Sequence, residues 1–216
     1  MARMEIGNLA LESYFHSQGI RFVAGIDEVG RGPLAGPVVA AACLVFRIVA
    51  PSGTPLLEGV RDSKVLTPVA RKKIFWRIVT QTPVAVGVVS ERKIDRVNIL
   101  QATRLAMREA VLALPVTPDL LLIDGDVEID LPIDQVPIFE GDKRVTSIGA
   151  ASIVAKVTRD EMMMVYDRVY PDYGFRNHKG YATEAHLRVL KERGPSPIHR
   201  RSFGPVKESK LIELEF

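Results

Sequence analysis

The stretch Ala24–Ala42, AGIDEVGRGPLAGPVVAAA, decides how the chain is read. It opens inside an apolar run, Phe22–Ile26, which patterns as a strand. Asp27 and Glu28 end that run side by side. Arg31 then stands between Gly30 and Gly32, and a second apolar strand spans Pro37–Phe46. Two strands joined by a Gly/Pro turn predict a hairpin. Adjacent carboxylates in an apolar strand need compensation for their lost hydration. Neighbours on a straight strand point to opposite faces. For Asp27 and Glu28 to serve one site, the strand is therefore expected to bend or bulge, which Gly30 and Gly32 make feasible.

Outward from this hairpin, strands alternate with helices. Residues 7–17 read as a short amphipathic helix. Thr67-Pro68 is a helix start, a cap followed by proline in the first turn, and the helix runs to about Thr80. Val84–Val89 is a third strand. Ser90 opens one long helix, with Ile99, Ala102, Thr103, Ala106, Met107 and Ala110 on one face and Gln101, Arg104 and Arg108 on the other. Leu120–Ile123 is a buried strand ending at Asp124-Gly125. SIGAASIVAKVTRDEMMMVYDRVY, Ser147–Tyr170, is a helix whose small first turns allow close packing on a sheet. Thr183 caps a last helix that stops at Gly194. The pattern predicts an α/β fold, a mixed sheet covered by helices. No repeat or low-complexity segment interrupts it, and a single unit over residues 1–216 is expected, its part from about 165 a helical and loop extension.

Composition bounds the function. Of 216 residues, 47% are hydrophobic, enough for a core, and the net charge of +3 permits a nucleic-acid partner without arguing for one. The single cysteine, Cys43, forms no intrachain disulfide, so a reducing compartment fits. His16, His178, His186 and His199 lack zinc-site spacing. No stretch is long enough to span a bilayer. The opening MARMEIGNLALESYF mixes in acidic residues too early for a secretory signal. A cytoplasmic protein is the expectation.

Strand ends at the open edge of an α/β sheet are where ligands sit. Asp124 ends the strand LLLID, and Asp142 follows 18 residues later (142 − 124) in EGDKR. If these ends are neighbours, four carboxylates converge, repel and rise in pKa. Divalent cations remove that conflict. All-oxygen donors suit Mg²⁺ or Mn²⁺, and two such ions about 4 Å apart form the clamp of phosphoryl-transfer sites. Singly, Asp124 before Gly125 is an ordinary turn former and Asp142 a loop or cap residue. Asp126, Glu128, Asp130 and Asp134 read as surface charges. GRGPLAG is not a dinucleotide fingerprint, because a strand follows where a helix is required. Its glycines suit close approach of backbone to a sugar or phosphate. The alternative is a tight hairpin turn with an exposed arginine.

These residues resemble the opening signature of the type 2 ribonucleases H, the ribonuclease HII family. The resemblance continues through DSK (Asp62–Lys64), NILQATRLAM (Asn98–Met107), LIDG (Leu122–Gly125), GDKRVTSIGAASIVAKVTRD (Gly141–Asp160), YGFRNHKGYATEAHL (Tyr173–Leu187) and GPSPIHRRSF (Gly194–Phe203). It implies a ribonuclease H-like fold and hydrolysis of RNA paired to DNA. It also implies that Asp27, Glu28, Asp124 and Asp142 hold metal, Mg²⁺ or Mn²⁺, with Asp27 bridging two ions, and that the products carry 5′-phosphate and 3′-hydroxyl ends. Gly30, Arg31 and Gly32 would read a ribonucleotide at an RNA–DNA junction. Tyr181 would stack on the next sugar, permitting a cut 5′ of a single embedded ribonucleotide. Gly149 and Val65 depart from the usual alanine and lysine without touching the four acids.

Lys64, Lys179 and Arg200 are expected to contact the substrate, with Arg176, His178, His199 and Arg201 in the same loop motifs. Solvated surface is the plainer reading of each, and His199 is equally read as a packed residue. Lys72 and Lys73 read as helix surface, and Met162–Met164 as core with one exposed member. The tail KLIELEF is assigned no role beyond a final short element. Two other functions use the same acids or the same surface: a DNA nuclease or resolvase of this fold, and a non-catalytic hybrid-binding module. The glycine–arginine turn with Tyr181 argues against the first, and the complete acid set against the second.

Overall fold

The computed structural model describes residues 9–49, 56–60 and 66–211. Its centre is a five-stranded sheet built from β1 (Val23–Val29), β2 (Val38–Val45), β3 (Val84–Val89), β4 (Leu120–Asp124) and β5 (Asp134–Ile138), in the order β3-β2-β1-β4-β5. The first three strands are antiparallel neighbours, whereas β1, β4 and β5 run parallel. This is the mixed sheet the sequence predicts, and the hairpin sits where expected.

Period-two alternation sorts the core into two layers. Ala24, Ile26, Val38, Ala40 and Ala42 pack with Ala102, Ala106, Met107 and Ala110 of α4 (Ile99–Leu112). On the opposite face, Val39, Ala41, Cys43 and Val45 pack with Ala150, Ala151, Ile153 and Val154 of α5 (Thr146–Val169), and with Ile78 of α2 (Pro68–Gln81). Met163 of α5 is fully buried and Met164 partly exposed, the mix expected of that run.

The small residues of α5 let it approach the sheet closely. A Cβ placed on Gly25 would lie 2.2 Å from the Ser147 carbonyl carbon and 2.4 Å from the Ile148 nitrogen. The start of α5 is held from α1 (Ala10–Ser17): buried Glu12 accepts the Ser147 N–H at 2.7 Å, and the Leu9 N–H donates to the Thr146 hydroxyl at 3.3 Å. A carboxylate at the N-terminus of a 24-residue helix completes its open N–H groups and complements its dipole.

Thr67 caps α2 by accepting from the Ala70 N–H, with Pro68 in the first turn as expected. Two elements depart from the sequence reading. The single long helix after Ser90 is two, α3 (Glu91–Val97) and α4, parted at Asn98, whose φ is 66°. With ψ 168° its backbone leaves the helical regions altogether, and its side chain accepts the Gln101 N–H to start α4. Strand β5 was not anticipated, because DQVPI carries a charge and a proline. Its place at the sheet edge tolerates Pro137.

Beyond α5 the chain forms α6 (Phe175–His178), α7 (Glu184–Arg193) and α8 (Gly204–Leu211), the expected helical C-terminal part. Among the described residues no helix is long and apolar enough to cross a membrane. The Gly25→Ala variant meets the α5 backbone at Ser147–Ile148 and should lose about 3 kcal/mol of stability, the upper range for overpacking. The fall in urea midpoint measures it.

Candidate active site

The β1–β4 ladder ends at Ile26↔Ile123, and β1 continues past it. Asp27 and Glu28 lie just beyond, next to Asp124 at the end of β4. All three line one cleft of about 300 Å³, with Arg71 of α2, Ser152 and Lys156 of α5, and Tyr181. The expected bulge is absent: Asp27↔Ala41 and Glu28↔Ala40 continue the β1–β2 register unbroken. Both side chains line the cleft because the β1–β4 pairing stops at Ile26, leaving only Asp124 of β4 beside them. Asp142 is brought in from a turn of 3-10 helix, Gly141–Lys143, where its N–H donates to Asp124 Oδ1 at 3.2 Å. Its side chain is buried. The exposed Asp126, Glu128, Asp130 and Asp134 stand outside the cleft lining, as read.

Burial holds the Asp27 carboxyl well above the usual range, and the charges of Glu28 and Asp124 add to the effect. Burial also raises Glu28, against the opposing pull of Arg31, whose Nη1 stands 3.3 Å from Glu28 Oε1. The Glu28 N–H donates to Asp27 Oδ1 at 2.7 Å. Among the described residues no group of three His, Cys, Asp or Glu side chains is arranged to hold a metal ion. The donors are nevertheless all hard oxygens whose mutual repulsion a divalent cation would relieve, so the residues fit Mg²⁺ or Mn²⁺.

The Gly30–Gly32 turn forms the adjoining rim. Gly30 has φ 93°, and a Cβ there would lie 2.3 Å from Arg159 Nε. A Cβ on Gly32 would come within 3.9 Å of the Tyr181 ring. Two fully buried arginines set this turn. Arg200 donates to the carbonyls of Gly36 at 3.0 Å, Arg31 at 2.8 Å and Gly30. Arg159 donates to those of Pro37, Lys179 and Ala35 at 3.0–3.1 Å. A trans peptide points its N–H opposite its carbonyl. With the Gly30 and Arg31 carbonyls drawn inward, the N–H groups of Arg31 and Gly32 face away from the buried guanidinium.

Arg200 therefore departs from the expected substrate contact: it is sealed inside and engaged with backbone. His199 is likewise buried, so its packed reading is the one the structure bears out. Lys179 directs its ammonium at the Arg176 carbonyl, 2.6 Å away, and Arg176 is exposed. Lys64 lies outside the described residues, as does the tail from 212. Arg71, Ser152 and Lys156 escaped the sequence reading. The i, i+4 spacing of Ser152, Lys156 and Asp160 is a usable signal, a polar stripe that begins in the small, apolar first turns of the helix. Arg71 carries no such signal.

Two predictions of opposite sign follow from burial. Carboxyls with raised native pKa destabilise the metal-free fold at neutral pH. Asp27→Asn should therefore melt a few degrees higher in chelator, at about 2–4 °C per kcal/mol, which calorimetry measures. Burial lowers His199 to about 3 and His186 to about 4. The unfolded chain binds more protons below about pH 6.5, so this contribution is complete above that pH and is lost on acidification toward 4 and then 3. In urea titrations from pH 7 to 4, His199→Gln should lose less stability than the parent chain.

Comparison with known proteins places most of the chain in one family. The family model described as Ribonuclease HII matches residues 24–206. The Ribonuclease HII of Geobacter sulfurreducens is 52% identical over 198 residues, covering 91% of this chain and 88% of that protein. That of Chlamydia pneumoniae is 46% identical, covering 94% and 93%. The crystal structure of the ribonuclease H2 from Pyrococcus horikoshii superposes with a TM-score of 0.74 at 26% identity, covering 90% of this chain and all of that one. The chain, matched from β1 to α8, thus belongs to the ribonuclease HII family of enzymes.

Proposed function

We propose that this chain is an endonuclease that cuts the RNA strand of RNA–DNA hybrids and nicks duplex DNA 5′ of a single embedded ribonucleotide. The carrying observation is the adjacency of the acidic cleft to a turn with almost no side chain, faced by the Tyr181 ring. Membership of the ribonuclease HII family supports the hybrid substrate.

Asp27, Glu28, Asp124 and Asp142 would hold Mg²⁺ or Mn²⁺. Such ions, when bound, supply a water of lowered pKa and charge stabilisation for the leaving 3′-oxygen, with 5′-phosphate and 3′-hydroxyl products. The chain's own groups do the rest. Asp27, buried at the end of β1 and hydrogen-bonded by Ser152, would be one of the carboxylates holding them. Arg71 and Lys156 bring positive charge to the cleft, suited to the phosphates flanking the cut. The outward N–H groups of Arg31 and Gly32, flanked by the bare backbone of Gly30 and Gly32, would be able to meet a 2′-hydroxyl, the group that distinguishes RNA from DNA. Tyr181, 41% exposed, offers its ring to the following deoxynucleotide sugar. A DNA-only nuclease has no need of such a sugar-reading rim.

A DNA duplex carrying one ribonucleotide, incubated with Mg²⁺ or Mn²⁺ beside an all-DNA control, tests this reading. A nick 5′ of the ribonucleotide and an intact control are expected. Cutting of the control would instead favour the DNA nuclease. Asp124→Asn should lower turnover by more than about 100-fold, since even the outer partners of metal ligands are worth 10–100-fold.

A further inference from the structure

Behind Tyr181 lies a cluster that the catalytic reading does not use. The rings of His178 and His186 stack with centroids 4.3 Å apart, and His186 Nε2 meets His199 Nε2 at 3.0 Å. His186 and His199 are buried against Phe175. Among the described residues this cluster is no metal site.

The contacts dictate where each proton sits. The Ser196 N–H points at His199 Nδ1 from 2.9 Å, with the Ser196 hydroxyl at 2.8 Å. A backbone N–H only donates, so Nδ1 accepts and the proton of neutral His199 is on Nε2. That proton can go only to His186 Nε2, which leaves the His186 proton on Nδ1. His186 Nδ1 lies 2.9 Å from the Tyr181 carbonyl, an acceptor. His178 closes the pattern independently: its Nδ1 accepts the Gly180 N–H at 3.2 Å, and its Nε2 faces the Tyr173 carbonyl at 2.8 Å.

We propose that His199 and His186 are positioning residues for Tyr181, acting as a one-way chain from the Ser196 N–H through both imidazoles to the Tyr181 carbonyl. The proposal rests on the reading of Tyr181 as the ring that stacks at the junction. The carbonyl at the end of the chain also accepts the Thr183 N–H at 2.8 Å, and the Tyr181 N–H donates to the His178 carbonyl at 2.9 Å. Both peptide groups of Tyr181 are thus engaged, while Arg159 Cζ stands 5.9 Å from the ring centroid. The ring itself remains open to the cleft. An apolar cluster of equal volume would stabilise the fold without fixing a direction, whereas a hydrogen-bonded chain admits one arrangement.

The first test needs neither substrate nor variant. Long-range ¹⁵N–¹H correlation at pH 7 should show His199 protonated at Nε2 and His186 at Nδ1; the opposite tautomer at either ring, or an imidazolium, overturns the chain. The second uses His199→Leu, which removes both donor and acceptor, and His199→Gln, which keeps one of each. Amide exchange at Tyr181 should quicken about tenfold in the leucine variant and much less in the glutamine variant. Equal exchange in all three proteins would leave the histidines as packing alone. In kinetics, His199→Leu should lower the ratio of kcat/KM for single-ribonucleotide DNA over long hybrid by about tenfold. That loss should not add to the loss in Tyr181→Ala. Equal losses on both substrates, or fully additive ones, also overturn the proposal. If the leucine variant does not fold, the tautomers and the glutamine variant still decide. If the parent chain fails to nick at a ribonucleotide, the reading of Tyr181 fails, while tautomers and exchange still test the chain.

Discussion

Two buried guanidinium groups hold the functional rim of this protein together. Arg159 and Arg200 form no ion pair with any described carboxylate; instead they donate to six backbone carbonyls, five of them within Gly30–Pro37. Burying a charge without a counter-charge is costly unless hydrogen bonds replace its hydration. Here the fork-shaped donors take the place of water for carbonyls that a turn cannot pair within itself. Burial pulls both arginines below their ordinary pKa, and for Arg200 the neighbouring charge of Arg159 adds to this. The turn is rigid because releasing it would strand two charges and several carbonyls together.

The same economy of space appears at the carboxylates. Asp27 is buried on the α5 side of β1, where Ser152 hydrogen-bonds to it, and Asp124 is held by the Asp142 backbone. Cations inside the rim and anions in the cleft are separated by little more than the turn. Positive charge from Arg31, Arg71 and Lys156 at the cleft edge lies between them and the solvent a polyanion would occupy.

Much of this was legible from residue order. Thr67-Pro68 and Thr183 marked helix starts because side-chain caps are local. The hairpin was legible because Gly/Pro punctuation separates two apolar runs. The acids stood out because strand ends in α/β sheets converge, and Asp27-Glu28 violates the economy of an apolar strand. What stayed hidden was tertiary. Pro137 disguised an edge strand, and Asn98 broke a helix whose periodicity continues across the break. The two arginines look unlike on paper, one lying within a helix and the other in a polar loop, yet both end up sealed. No local pattern distinguishes a guanidinium bound for backbone carbonyls from one bound for phosphate. The unbroken β1 register shows a further limit. Alternation gave the correct faces for Asp27 and Glu28, but the point at which a neighbouring strand stops decides whether the two faces share a cleft.

The contact between Arg200 and Gly30 spans 170 residues. During synthesis the carboxylates of β1 and β4 and the long helix behind them emerge well before the loop that carries Arg200. A chain interrupted between Asp142 and that loop contains the acids but lacks the clamp that orients the Arg31 and Gly32 peptides. Non-local contacts of this reach form late. The order of the chain therefore completes the Gly30–Gly32 turn last in assembly, and a nascent or truncated product has its acids beside an unclamped turn.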